Sequence, residues 1–204
     1  MTDDRRRIGI VGLGSVLMGD DAVGPYAVEL LASRWRLPDE VSVLDAGTPG
    51  PDLVDYLIDL DAAIVVDTVR GPAGAGGPDP AGTIRLYRRD EVMALPSSPR
   101  TSPHDPDLRQ ALLTAELAGR APAEVLLVGV VPERVELGTE LSAPVRESLA
   151  AVESVVVAEL RRLGAEPERR ERPRGADIWW ERWKRDFADA PPILAGASES
   201  WSGG

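Results

Sequence analysis

The 204-residue chain contains no cysteine. Disulfides, iron–sulfur clusters and thiolate zinc sites are thereby excluded as intrachain features, and any metal must be held by histidine, carboxylates or atoms of a partner. Histidine is almost as scarce: His104 is the only one, so a His-Glu-x-x-His zinc-protease helix cannot be built. With no cysteine thiolate, and no elbow-type serine to partner His104, the chain offers no conventional serine or cysteine nucleophile system. Long apolar runs are also missing. The first apolar stretch is broken by Gly9, Gly12 and Gly14, which argues against a signal peptide or membrane span and predicts a cytoplasmic protein with no membrane insertion. Aromatics make up only 4% of the residues, so the core must be aliphatic. Nor is there an excess of positive charge. The net charge is −11, and short basic runs such as Arg5-Arg6-Arg7 and Arg169-Arg170 read as solvated, which excludes a nucleic-acid partner.

What is present is a chain organised around Ile8-Gly9-Ile10-Val11-Gly12-Leu13-Gly14-Ser15-Val16-Leu17-Met18-Gly19-Asp20-Asp21. It reads as a strand, a glycine turn and a helix start, delivering two adjacent carboxylates to one end of a sheet. Helical spacing of Val23, Tyr26, Ala27, Leu30 and Leu31 predicts a helix over 22–35, with Pro25 tolerable in its first turn. A short strand over 40–45, a turn-rich loop and a helix over 52–60 follow. Residues 61–69 and 124–131 are continuous apolar runs suited to burial on both faces of a parallel sheet. Residues 70–82, rich in Gly and Pro, read as a loop; the strand predicted over 83–88 has no preceding helix and is therefore expected to run antiparallel. An irregular loop over 91–107 carries His104, a helix is expected over 108–119, and a three-four apolar spacing marks a last helix from Val145 to a cap at Gly164.

Alternating strands and helices predict a three-layer α/β/α fold with a twisted, mostly parallel sheet of about five strands and one antiparallel edge strand. Residues 1–164 suit one α/β domain. From Ala165 the composition shifts to Arg, Glu, Pro, Gly and Ser, so 165–204 reads as an extension outside the fold, largely irregular, with a short aromatic helix at 177–188. There Trp180, Trp183 and Phe187 share one helical face, suited either to docking on a partner or to packing back on the domain.

Three candidate positions stand where strand ends meet loops: Asp20 with Asp21, Asp67, and His104. Strands one and three of a parallel sheet finish at the same edge, so their acids can converge, and such oxygen and nitrogen donors suit Ni, Zn, Fe or Mn. Each has a structural alternative. Asp20 fits a helix N-cap, Asp21 an acid in a first helical turn, and His104 an ordinary surface residue. Asp67, after Ile64-Val65-Val66, is costly there unless paired, exposed or liganded. The Gly12-Leu13-Gly14 turn also invites a nucleotide reading, but the third glycine of that fingerprint falls on Leu17.

Taken together, the opening motif through Gly24, the Leu44-Asp45-Ala46-Gly47-Thr48 loop, the Ile64-Val65-Val66-Asp67-Thr68 strand end, Ser102-Pro103-His104 and the strand end at Val128-Gly129-Val130-Val131-Pro132-Glu133 resemble the [NiFe]-hydrogenase maturation endopeptidases. The resemblance runs over residues 7–164. It implies an aspartate- or metal-assisted endopeptidase that removes the C-terminal peptide of a nickel-loaded hydrogenase large-subunit precursor. The implied metal contacts are Asp21, Asp67 and His104, with Asp21 and Asp67 also the catalytic acids. The implied nickel is carried by the substrate, and another divalent metal can take its place in the isolated protein. Asp45, Gly47 and Thr48 fall on the family's substrate-recognition loop, while Gly12, Gly14, Ser15 and Asp20 form the turn; Ser15 stands where the family usually has Asn. Two other readings share the fold: a non-proteolytic nickel-binding maturation scaffold and a nucleotide-binding α/β protein.

Overall fold

The computed structural model describes residues 6–69, 78–94 and 108–186. In chain order the elements are β1 (Ile8–Leu13), a 3-10 turn (Gly19–Ala22), α1 (Val23–Arg34), β2 (Trp35–Arg36), β3 (Val41–Gly47), a 3-10 turn (Gly50–Asp52) and α2 (Leu53–Leu57). They continue with β4 (Ala62–Thr68), β5 (Ile84–Arg88), α3 (Arg89–Ala94), α4 (Leu108–Leu117), β6 (Glu124–Val130), α5 (Ala143–Arg162), β7 (Glu168–Arg169) and α6 (Trp179–Asp186). The main sheet has the order β3-β1-β4-β6-β5. Its first four strands are parallel, and β5 closes the far edge antiparallel to β6. β1 is buried along its whole length, and so are Ala62–Val66 of β4, because these central strands are covered on both faces.

Two apolar clusters sandwich the sheet. On one face Ile8, Ile10, Ile64 and Val128 pack against Tyr26, Leu31, Val152 and Leu160 from α1 and α5. On the other, Val11, Val65 and Leu127 pack against Leu53, Leu57 and Leu112 from α2 and α4. The chain leaves β1 for β3 on one side and returns to β4 on the other, so a crevice opens at the C-terminal end of β1.

Among the described residues, the secondary structure departs from the sequence reading at α3 and after Gly164. Residues 91–94, expected to open an irregular loop, belong instead to α3, whose charged composition hides a helix that buries only Val92. The boundary after Gly164 marks a helix end but not the limit of the folded part. Gly164, at φ +89°, ends α5 with its N–H on the Arg161 carbonyl at 3.0 Å and that of Ala165 on Leu160 at 2.9 Å. The chain then turns back: β7 pairs with β2, and the N–H groups of Arg170 and Arg174 donate to the carbonyls of Arg34 and Ser33 at 2.8 and 2.9 Å. Trp180, only 2% exposed, joins the α1/α5 cluster. Backbone hydrogen bonds hold residues 165–174, and the Trp180 indole holds α6. The side chain of Trp183, as well as Phe187, lies outside the described residues.

An ionic cluster ties the antiparallel edge to α5. The Glu159 carboxylate, 5% exposed, accepts from Arg88 of β5 at 2.5 and 3.0 Å and from Arg162 at 2.8 and 3.0 Å. Burial alone would raise its pKa, but the hydrogen bonds from Arg162 and Arg88 outweigh that and bring it down from 4.5 to about 2. A carboxylate more acidic in the folded than the unfolded state adds stability that is complete above its unfolded pKa and disappears as pH falls through its folded one. Urea titrations of wild type and Glu159→Gln should therefore differ most above pH 4.5 and converge as the pH approaches about 2.

Candidate functional site

The parallel strands end together at one edge, and there Asp21, Asp45 and Asp67 lie. After β1 the chain passes through Gly14 at φ +123°, where an added Cβ would lie 1.7 Å from the Asp21 carbonyl oxygen. Only glycine allows this approach, which folds the 3-10 turn back over the end of β1. Gly24 serves the start of α1 in the same way: a Cβ would meet the Leu13 and Val66 carbonyls at 2.2 and 2.5 Å. The glycines thus bring a helix start against the ends of β1 and β4.

The two adjacent aspartates part company. Asp20 is fully buried and makes no cap bond to its own helical turn. Its Oδ1 accepts the Ser142 N–H at 2.6 Å, and its Oδ2 accepts the Ser142 hydroxyl at 2.9 Å and the Glu133 and Arg134 N–H groups at 2.8 and 3.0 Å. The N-cap alternative for Asp20 is thus replaced by a bracket that fixes the connection from β6 to α5. Backbone bonds reinforce it: the Gly19 N–H donates to Gly138 at 2.8 Å and the Gly138 N–H to Leu17 at 3.0 Å.

Asp21, by contrast, is half-buried and turns toward the strand ends. Its Oδ2 accepts the Ser15 N–H at 2.7 Å and its Oδ1 accepts the Thr68 hydroxyl at 3.0 Å. The Thr68 N–H in turn donates to Asp67 Oδ1 at 2.7 Å. One residue at the end of β4 therefore hydrogen-bonds both acids, through its hydroxyl and its amide. Thr68 was not singled out in the sequence; the signal available was a hydroxyl directly following a strand-terminal Asp.

The Asp45 loop flanks this arrangement. Asp45 lies opposite Gly12 in the β1/β3 register and accepts the Gly47 N–H at 2.9 Å, forming a tight turn with Gly47 at φ +56°. The Gly47 carbonyl accepts the Gly14 N–H at 2.9 Å, so the loop and the glycine turn are joined. Thr48 is exposed beside it. His104 lies outside the described residues. Among the described residues no three histidine or carboxylate side chains cluster closely enough to hold a metal ion.

A mostly parallel five-stranded sheet with one antiparallel edge strand, flanked by helices, is an architecture shared with solved endopeptidases. The hydrogenase maturating endopeptidase HybD from Escherichia coli superposes with a TM-score of 0.72 at 34% identity, covering 80% of this chain and 98% of that one. The family model described as hydrogenase maturation protease matches residues 25–159. Among curated relatives, the hydrogenase 2 maturation protease of Escherichia coli is 34% identical over 165 residues, covering 81% of this chain and 97% of that protein. The hydrogenase expression/formation protein HupM of Azotobacter chroococcum is 37% identical, covering 80% and 76%. The chain belongs to the hydrogenase maturation protease family. No helix among the described residues is long and apolar enough to cross a membrane.

Proposed function

We propose that this protease removes the C-terminal peptide from a nickel-loaded [NiFe]-hydrogenase large-subunit precursor, recognising the nickel through Asp21, Asp67 and His104. The observation that carries the reading is the Thr68 bridge, which donates to Asp21 and to Asp67 at once. Family membership gives the reaction class, and the bridge supports these two acids as its working pair.

In this reading Asp21 is oriented before substrate arrives. Ser15 and Thr68 each take one of its oxygens, and a carboxylate oxygen has a second lone pair with which to meet a cation. The nickel is cargo of the substrate, so an unloaded precursor presents nothing for the acids to hold. Cleavage requires water to attack the scissile carbonyl while the leaving amine takes a proton. Either polarisation by the cargo metal or a carboxylate acting as general base supplies the activation. The Asp45-Gly47-Thr48 loop, tied to the glycine turn, would meet the polypeptide around the cleaved bond.

Incubation of the purified chain with nickel-loaded and nickel-free precursor tests the reading. The expected result is shortening of the loaded precursor alone. Equal cleavage of both would overturn recognition through nickel, and cleavage of neither would overturn proteolysis of this substrate.

A further inference from the structure

A cleft of about 300 Å³ opens between α1, β3 and the returning C-terminal segment. We infer that it receives an extended, lysine- or arginine-bearing segment of the precursor, laid along the outer edge of β3, with α6 forming the outer wall. The inference rests on the proposed reaction for the identity of the partner, and on the shape and charge of the cleft for its chemistry.

The wall is firmly held. Trp180 packs edge-on to Tyr26 with ring centroids 5.1 Å apart, and Trp179 edge-on to Trp180 at 5.7 Å. The Tyr26 hydroxyl donates to Glu181 at 2.5 Å and Arg146 donates to the same oxygen at 2.7 Å. Burial first, and the Glu181 carboxylate next, keep the Tyr26 hydroxyl protonated well above its ordinary range, so it remains a donor. The inner indole is thus fixed, while Trp179 stays 44% exposed on the cleft.

The opposite wall is the edge strand. β3 ends the main sheet, and among the described residues no strand pairs with its outer side. Such an edge is a template for an added strand, whose alternate side chains then fall on one face of the sheet. On the cleft face they would meet Val43, Val28 and the Trp179 ring. Glu29, Asp45 and Asp177 also line the cleft, and among the described side chains no lysine or arginine does. Arg182 answers Asp177 at 2.5 Å, whereas Glu29 and Asp45 accept backbone N–H groups, from Asp177 at 3.2 Å and from Gly47 at 2.9 Å, so their charges face an incoming cation. Asp45 also connects this cleft to the site, since its loop is bonded to the glycine turn that carries Asp21.

Two measurements on the full chain test the inference. The first is fluorescence anisotropy with a labelled peptide of alternating Val and Lys, about twelve residues and long enough to form a strand, against its Val/Glu counterpart. The Val/Lys peptide should bind and the Val/Glu peptide should not, with Glu29→Gln and Trp179→Ala each weakening binding about tenfold. The second is precursor processing, where the same variants should raise KM about tenfold and leave kcat within about twofold. Equal binding of the two peptides, or variants that change neither binding nor KM, would overturn the inference. Peptide binding does not depend on cleavage, so a chain that binds the Val/Lys peptide in this way but cuts no precursor would sink the proposed reaction, and with it the precursor as occupant, and leave only the chemistry of the cleft standing.

Discussion

Replacing Asp20 with alanine should cost about 3 kcal/mol of folding stability, more than an ordinary surface change by several-fold. The carboxylate is fully buried and takes four donors, one of them the amide of Ser142 at the N-cap of α5. Alanine would strand the Ser142 amide and hydroxyl, both in a buried residue, and release Glu133 and Arg134 to solvent, where water can satisfy their amides. The penalty is therefore closer to two lost buried donors than to four, which is what holds the figure near 3 kcal/mol. Asn cannot rescue the site. Both carboxylate oxygens accept N–H groups, so an amide NH₂ in either orientation would face a donor at 2.6 Å or at 2.8 Å. Denaturant unfolding should rank wild type above Asp20→Asn and Asp20→Ala; an unchanged midpoint for Asp20→Ala would remove the bracket from the account.

The contrast between Asp20 and Asp21 shows where local pattern ends. A Gly-Asp-Asp run before a helix suits the first acid to a cap and the second to a first helical turn. The deciding partners of Asp20 lie on residues 133–142, beyond any local window, and those of Asp21 on Ser15 and Thr68. The central strands were legible because burial on two faces demands apolar residues at successive positions, as in Ile64-Val65-Val66 and Val125-Leu126-Leu127-Val128. The direction of β5 was legible from its missing crossover helix, but its neighbour was not: it pairs with β6, a strand reached only after α4. For the C-terminal segment the aromatic face at Trp180 leaves docking and back-packing both open, whereas the stretch before it reads as irregular because its anchors are backbone donors from Arg170 and Arg174, and composition registers only their charge.

The largest functional effect should come from Asp21, and a comparison with Thr68 separates what each contributes. Under the proposed reaction, Asp21→Asn removes the charge that meets the cargo metal while keeping a group of the same shape beside Ser15 and Thr68. Processing of nickel-loaded precursor should fall by about 10²-fold or more, the scale on which a group taking part in the chemistry is missed. Thr68→Val keeps the volume and the amide that donates to Asp67, and deletes only the hydroxyl that orients Asp21. Loss of one orienting bond to a ligating carboxylate costs about 10-fold to 100-fold, so this variant should stay measurably active. The double variant is informative because Thr68 acts through Asp21. With the charge already gone, removing the hydroxyl should add little, and the two losses should not multiply. Full multiplication would mean that Thr68 serves Asp67 or the substrate independently of Asp21, and wild-type processing by Asp21→Asn would remove this carboxylate from the site altogether.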